Sequence, residues 1–172
     1  MMPLNATSYP FEFIGISTLS ADEFQQDTLI YRFRSRKSAH EYEVHIERYR
    51  EHLCSVKFFD TSAYHGIGRF SQLTETFEPR TVIRTVTDIA LHSLGLDPMA
   101  SFCFIGAADG RDHTGGANTR RYRVYKAYVQ RMGIDDRFEA IFFDEYSLIM
   151  LVNRQAVVDR QTYIEQVVSF II

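Results

Sequence analysis

Between Thr28 and Asp60 the chain alternates apolar and polar positions in three successive segments. Leu29, Tyr31 and Phe33 interleave with Ile30, Arg32 and Arg34. Tyr42, Val44 and Ile46 interleave with Glu41, Glu43, His45 and Glu47. Cys54, Val56 and Phe58 interleave with Ser55, Lys57 and Phe59. A period of two puts successive side chains on opposite faces of a strand, so this stretch predicts an antiparallel meander with one dry and one wet face. The last connection is a tight one near Glu51 and His52, and on the wet face His45 and Glu47 are expected as solvated cross-strand partners. Phe11 to Ile16 predicts an earlier strand. Ser20 and Glu23 have the spacing of a capping box, which predicts a single helical turn before Asp27.

Beyond the meander the period changes. Pro79 suits the first position of a helix, Val82, Ile83, Val86, Ile89, Ala90 and Leu94 form a stripe at helical spacing, and Gly95 with Asp97 and Pro98 ends it. Phe102 to Ala107 is an unbroken apolar run, read as a strand buried on both faces. A polar loop with glycines follows, then a helix on which Tyr122, Tyr125, Tyr128, Val129 and Met132 share one face, ending at Gly133. Phe138, Ala140 and Phe142, then Tyr146, Leu148, Met150 and Val152, predict a hairpin turning at Asp144 and Glu145. Thr162 and Glu165 again have capping-box spacing, ahead of a stripe of Tyr163, Ile164, Val167, Val168 and Ile171. That last helix either docks on the body or meets a second copy in a homodimer. The order predicts an α+β fold: a mixed, mainly antiparallel sheet packed by two main helices plus a C-terminal one.

The length of 172 residues suits a single domain over 1–172, and 45% hydrophobic with 24% charged residues is an ordinary globular composition. No apolar run approaches the roughly 18 residues that a membrane span requires. The opening residues lack the basic and apolar regions of a secretory signal, and Cys54 and Cys103 both sit in apolar strand patterns, as reduced core thiols do. A cytoplasmic protein is expected. Zinc spacings, G-x-S-x-G, Walker and HExxH sequences do not occur. Asp109, Asp112 and His113 share one short loop without a second cluster of ligands, so no metal site is expected. His65 and His92 have no nucleophile near them in sequence. Gly66 and Gly68 mark a bend, a bulge or a close approach of a ligand to the backbone.

Charge singles out residues 101–133. Six cations (Arg111, Arg120, Arg121, Arg123, Lys126 and Arg131) stand there against two carboxylates, in a chain whose net charge is −3. Most of these cations fall opposite the tyrosine face of the helix, but Arg121 falls within it. An inward guanidinium needs a carboxylate, carbonyls or an anionic ligand. A loop and a helix start at the carboxyl end of a central strand favour an anion as well, through amides outside the helical ladder and the positive end of the helix dipole. Arg111, Gly115, Gly116, Asn118, Arg120 and Arg121 are therefore the candidate ligand-binding residues. The first functional reading is a non-catalytic binding or regulatory domain, without cofactor, that presents this basic surface to a small anionic ligand or an acidic protein partner. The negative overall charge makes nucleic acid a poorer fit, and no membrane partner is expected.

The element order resembles that of the GNAT superfamily, the N-acyltransferases that use acyl-coenzyme A. In that family the second helix often opens with Asn and carries Tyr seven residues later, as Asn118 and Tyr125 do here. The resemblance implies acyl-CoA as co-substrate, residues 110–121 as its phosphate contact, and Tyr125 as general acid for the leaving thiolate. The family's Q/R-x-x-G-x-G/A sequence has only Gly66-Ile67-Gly68 as a counterpart, with Ala63 in place of Gln or Arg. Its Gly-aromatic pair lies four residues after the Tyr, whereas Gly133 lies eight after Tyr125. The chain is also similar to small uncharacterised bacterial and phage domains that pair an R-T-V-x-x-I helix with an R-x-x-x-Y helix, as Arg84, Thr85, Val86 and Ile89 pair here with Arg121 and Tyr125. The two readings differ in what they require of the fold. A cleft left open between the last meander strand and the Phe102 strand, lined by Arg121, favours the enzyme; a filled one favours the binding domain.

Overall fold

The computed structural model describes residues 8–18, 24–61, 79–106, 116–134, 136–157 and 159–171. In chain order these form β1 (Phe11–Ser17), β2 (Gln25–Arg34), β3 (Glu41–Tyr49), β4 (Leu53–Asp60), α1 (Pro79–Ser93), β5 (Ser101–Ile105), α2 (Arg120–Met132), β6 (Phe138–Phe143), β7 (Leu148–Asn153) and α3 (Arg160–Ile171). The seven strands make one mixed sheet in the order β1-β2-β3-β4-β5-β7-β6. Every pairing is antiparallel except β4 with β5, whose parallel run is made through the crossover containing α1. This is the α+β architecture that the alternating and helical periods predict.

The alternation decides which face each helix covers. Leu29, Tyr31, Tyr42, Val44, Ile46, Val56, Phe102 and Leu151 point to one face and pack with Val82, Val86 and Ile89 of α1 and with Tyr122 and Tyr125 of α2. On the opposite face Leu53, Cys103, Leu148, Met150 and Val152 of β4, β5 and β7 meet Tyr163 and Val167 of α3. The last helix therefore docks on its own sheet. Among the described residues no helix is long and apolar enough to cross a membrane.

Several expectations change for reasons that lie across the sheet. Ser55 and Phe59, expected on the wet face, are buried. The Ser55 hydroxyl bonds the Cys103 thiol beside it, and the ring of His45 lies edge-on over Phe59 at 5.5 Å. His45 and Glu47 are half-buried rather than solvated, and His45 bonds Glu43 at 2.6 Å while Glu47 takes Lys57 at 2.9 Å. The Phe102 strand is buried on both faces only as far as Cys103; Phe104 is half-buried and Ile105 is 42% exposed. Tyr146 belongs to a 3-10 turn at Asp144–Tyr146 and not to the strand that follows. The cap of α3 is Asp159, whose carboxylate accepts the Thr162 amide at 3.1 Å and the Thr162 hydroxyl at 2.7 Å. A carboxylate at the positive end of the helix dipole outcompetes the hydroxyl of Thr162 for that role, and these bonds hold the Asp159 carboxyl below its ordinary range. The capping-box residues Ser20 and Glu23 lie outside the described residues.

The β3–β4 turn places Glu51 and His52 both at positive φ, 59° and 57°. A two-residue turn of this hand matches the twist of the strands, but it favours Asn and Gly at these positions. It is held from outside by the Ser101 amide on the His52 carbonyl at 2.9 Å and by His52 Nδ1 against Asp97 at 2.8 Å. Glu51→Asn, which relieves left-handed strain while keeping these contacts, should raise stability by about 0.5–1 kcal/mol in urea denaturation. An unchanged or lowered midpoint would show that the turn stores no such strain.

Candidate functional site

The parallel ladder between β4 and β5 is short. It runs from Leu53 opposite Ser101 to Ser55 opposite Cys103 and stops there. Beyond that point β4 follows β3 to Asp60, and β5 follows β7 to Ile105. Each strand keeps its outer neighbour, so the two part from one another. A cleft of about 190 Å³ opens between them, lined by Val56, Lys57 and Phe58 of β4, Phe104 and Ile105 of β5, and Arg121 and Tyr125 of α2. The facing edges of the two strands share no ladder there, which is the kind of edge that an extended ligand can pair with.

The start of α2 is pinned against the end of β5 by a compact set of polar contacts. Gly106, just past β5, lies so close to α2 that a Cβ there would stand 2.4 Å from the Tyr122 nitrogen and 2.6 Å from its Cα. The Thr119 hydroxyl donates to the Gly106 carbonyl at 2.5 Å and accepts the Tyr122 amide at 3.2 Å, capping the helix. Ser147, at φ 51° in the turn before β7, accepts the Thr119 amide at 2.9 Å and donates to the Gly116 carbonyl at 2.7 Å. The Ser147 carbonyl takes the Gly106 amide at 2.9 Å, and the Asn118 amide donates to the Asp144 carbonyl at 2.8 Å. The amides of Asn118, Thr119 and Tyr122 are thus bonded within the protein.

Side chains on the helix then divide by face. Tyr122 is fully buried and donates its hydroxyl to Asp144 at 2.6 Å, and Lys126 reaches the same oxygen at 2.9 Å. Those two bonds hold the Asp144 carboxyl below its ordinary range, while burial and the Asp144 bond raise the Tyr122 phenol. One turn apart on the cleft side, Arg121 is 7% exposed and Tyr125 8% exposed. Burial raises the Tyr125 phenol above its ordinary 10.0, partly offset by the charge of Arg121 and by a hydrogen bond between the two side chains. A guanidinium only donates, so in that bond the Tyr125 oxygen accepts and the phenol keeps its hydrogen for another partner. The Phe58 ring packs against the Tyr125 ring, with centroids 6.0 Å apart.

No family model, curated protein or solved structure matches the chain.

Of the residues singled out in the sequence, Arg121 and Tyr125 are brought together at the cleft. Arg120 is half-buried at the first position of α2. Gly116, at φ 96°, and Asn118, at φ 48°, belong to the polar set that anchors the helix. Arg111 and Gly115 lie outside the described residues, as do His65, Gly66, Gly68, Asp109, Asp112 and His113. Among the described residues no group of His, Cys, Asp and Glu is placed to hold a metal ion. Sequence reading passed over Gly106 and Ser147, whose only signal was a glycine inside an apolar run and a serine inside a hairpin. It also passed over Asp60, which follows Phe58 by two positions on the same strand face and so stands about 6.6 Å further along β4. The Asp60 side chain is 4% exposed and meets His40 Nδ1 at 2.5 Å.

Gly106→Ala forces a methyl group into the backbone of Tyr122 and should cost about 3 kcal/mol in denaturant unfolding. A loss under about 0.5 kcal/mol would mean that α2 shifts freely at its start. Burial also sets an alkaline limit. It pushes the Cys54 and Cys103 thiols from the ordinary 9.0 up to about 12, and the Tyr163 phenol from 10.0 up to about 12. Their folded values lie above their unfolded ones, so the stabilisation is complete below pH 9 and is lost as pH rises toward 12. In an alkaline titration the part of the phenolate absorbance that Tyr163→Phe removes should therefore appear together with the loss of circular dichroism, and its appearance in folded protein would contradict the burial of that phenol.

Proposed function

We propose that the chain binds an acyl-CoA thioester in the cleft between β4 and β5 and transfers its acyl group to an amine. The observation that carries this reading is the parting of the two strands beyond Ser55 and Cys103, with the buried pair Arg121 and Tyr125 along one side of the gap. It is the open cleft that distinguishes the enzyme reading from the binding-domain one. The arm of coenzyme A is an extended chain with secondary amides, suited to lie as an extra strand along the edge that β4 presents there. Its phosphates suit the cation-rich start of α2, where Arg120 is half-buried and Arg123 exposed.

A bound thioester supplies an electrophilic carbonyl carbon and a thiolate leaving group. Tyr125 stays a neutral phenol at pH 7, because burial raises it, and is therefore in the form that can donate. It gives its proton to the sulfur as the carbon–sulfur bond breaks and the carbon–nitrogen bond forms. The proton lost by the amine passes to water, which restores the phenol. Arg121 orients the Tyr125 oxygen and stabilises the negative charge that develops on it. The other reading, a non-catalytic domain for an acidic partner, draws on the exposed cations Arg123 and Arg131 of α2.

Calorimetry with coenzyme A and acetyl-CoA should show micromolar binding, and free thiol should be released from acetyl-CoA in the presence of a panel of primary amines. Tyr125→Phe should keep the affinity for coenzyme A and slow thiol release by about 100-fold or more. Absence of heat with both nucleotides removes the acyltransferase reading and leaves the binding domain.

A further inference from the structure

A second recess adjoins the cleft. Phe58, Phe104 and Tyr125 line both, so these three rings stand between the cleft and the recess. Beyond these rings, the recess lies between the helices and the sheet and is walled by Ile83 and Val86 of α1, Val129 of α2, Ile134 just beyond it, and Ile149 and Leu151 of β7. The Thr87 hydroxyl on its wall is turned back onto the Ile83 carbonyl at 2.8 Å. Among the described residues no charged side chain lines it. The void amounts to about 40 Å³, room for about three water-sized groups.

We infer that this recess takes the acyl group of the co-substrate and selects a short, unbranched, uncharged chain of about four carbons, butyryl in preference to acetyl. The inference rests on the acyltransferase reading above and deepens it. Tyr125 is the link. Its hydroxyl meets Arg121 on the cleft side while its ring forms a wall of the recess. A carbonyl whose sulfur lies within reach of that hydroxyl has its alkyl substituent against the three shared rings, and the tail enters the recess by turning the Phe58 ring aside from Tyr125. The tail then leaves water for apolar walls, and each methylene so buried contributes about a fourfold gain in affinity. A carboxylate at the end of the chain meets no cation among the described residues of the lining, so succinyl-CoA is refused, because burying an unpaired charge is far costlier than the apolar gain. Chains longer than the void find no further wall, and octanoyl-CoA gains nothing over butyryl-CoA.

The test is a calorimetric series with coenzyme A, acetyl-, propionyl-, butyryl-, octanoyl- and succinyl-CoA on the unaltered protein. Affinity should rise about fourfold per added carbon from acetyl to butyryl and then level off, with succinyl-CoA no tighter than coenzyme A itself. Ile134→Trp, which fills the recess from its rim, should bring the butyryl-to-acetyl affinity ratio down to about one, and Val129→Ala, which enlarges it, should move the preferred chain longer. These ratios are taken within each variant, so a general loss of affinity does not affect them. Coenzyme A binding with equal affinity for acetyl and butyryl overturns the chain-length inference and leaves the acyltransferase reading standing. No binding of coenzyme A or of any thioester overturns both.

Discussion

Gly106 carries no side chain, and the backbone of Tyr122 occupies the space where one would be. That contact fixes the first turn of α2 against the end of β5, and the placement of the cleft follows from it. With its first turn pinned, the helix directs Arg121 and Tyr125, one turn apart, toward the place where β4 and β5 have parted. The anchor is polar but closed on itself: Thr119, Ser147, Gly116 and Asn118 exchange hydrogen bonds with the carbonyls and amides around them. Buried polar groups that are mutually satisfied rigidify a site at little cost, whereas unpaired ones would open it to water.

The same anchoring redistributes the electrostatics that the helix start offers. The amides of Asn118, Thr119 and Tyr122 are occupied inside the protein, so the positive end of α2 acts on a ligand chiefly through cationic side chains. Arg121 lies within the tyrosine face with a phenol as neighbour, while Tyr122, Lys126 and the Asp144 carboxylate form a separate bonded set on the hairpin side. Two tyrosines three positions apart thus occupy different electrostatic surroundings. Tyr122 faces a carboxylate and Tyr125 faces a guanidinium, and both phenols are raised by burial.

Local pattern was enough to find the strands, the helices and the inward turn of Arg121, because each of these depends on side chains a few positions apart. Leu29, Tyr31 and Phe33 must share a face of any strand that contains them, and a guanidinium one turn before Tyr125 must share that residue's side of any helix. The errors came where the deciding neighbour is distant in sequence. Phe59 is buried because His45 of the adjacent strand lies over it, and Asp159 caps α3 because the chain enters that helix three residues earlier than the Thr162 spacing suggests. Ile105 belongs to an apolar run and is nonetheless exposed, since β4 has already turned away from it.

The amino-acid order by itself determined the element sequence, the dry face of the meander, the tyrosine face of α2 and the presence of one cation on it, all consequences of strand and helix periodicity. Only the tertiary structure decided that β4 and β5 separate after three paired residues, that Gly106 anchors α2 beside that gap, and that an apolar recess lies behind Tyr125. A sheet's register and the space between its strands depend on pairings and close approaches between segments tens of residues apart, and no periodicity within one segment carries that information.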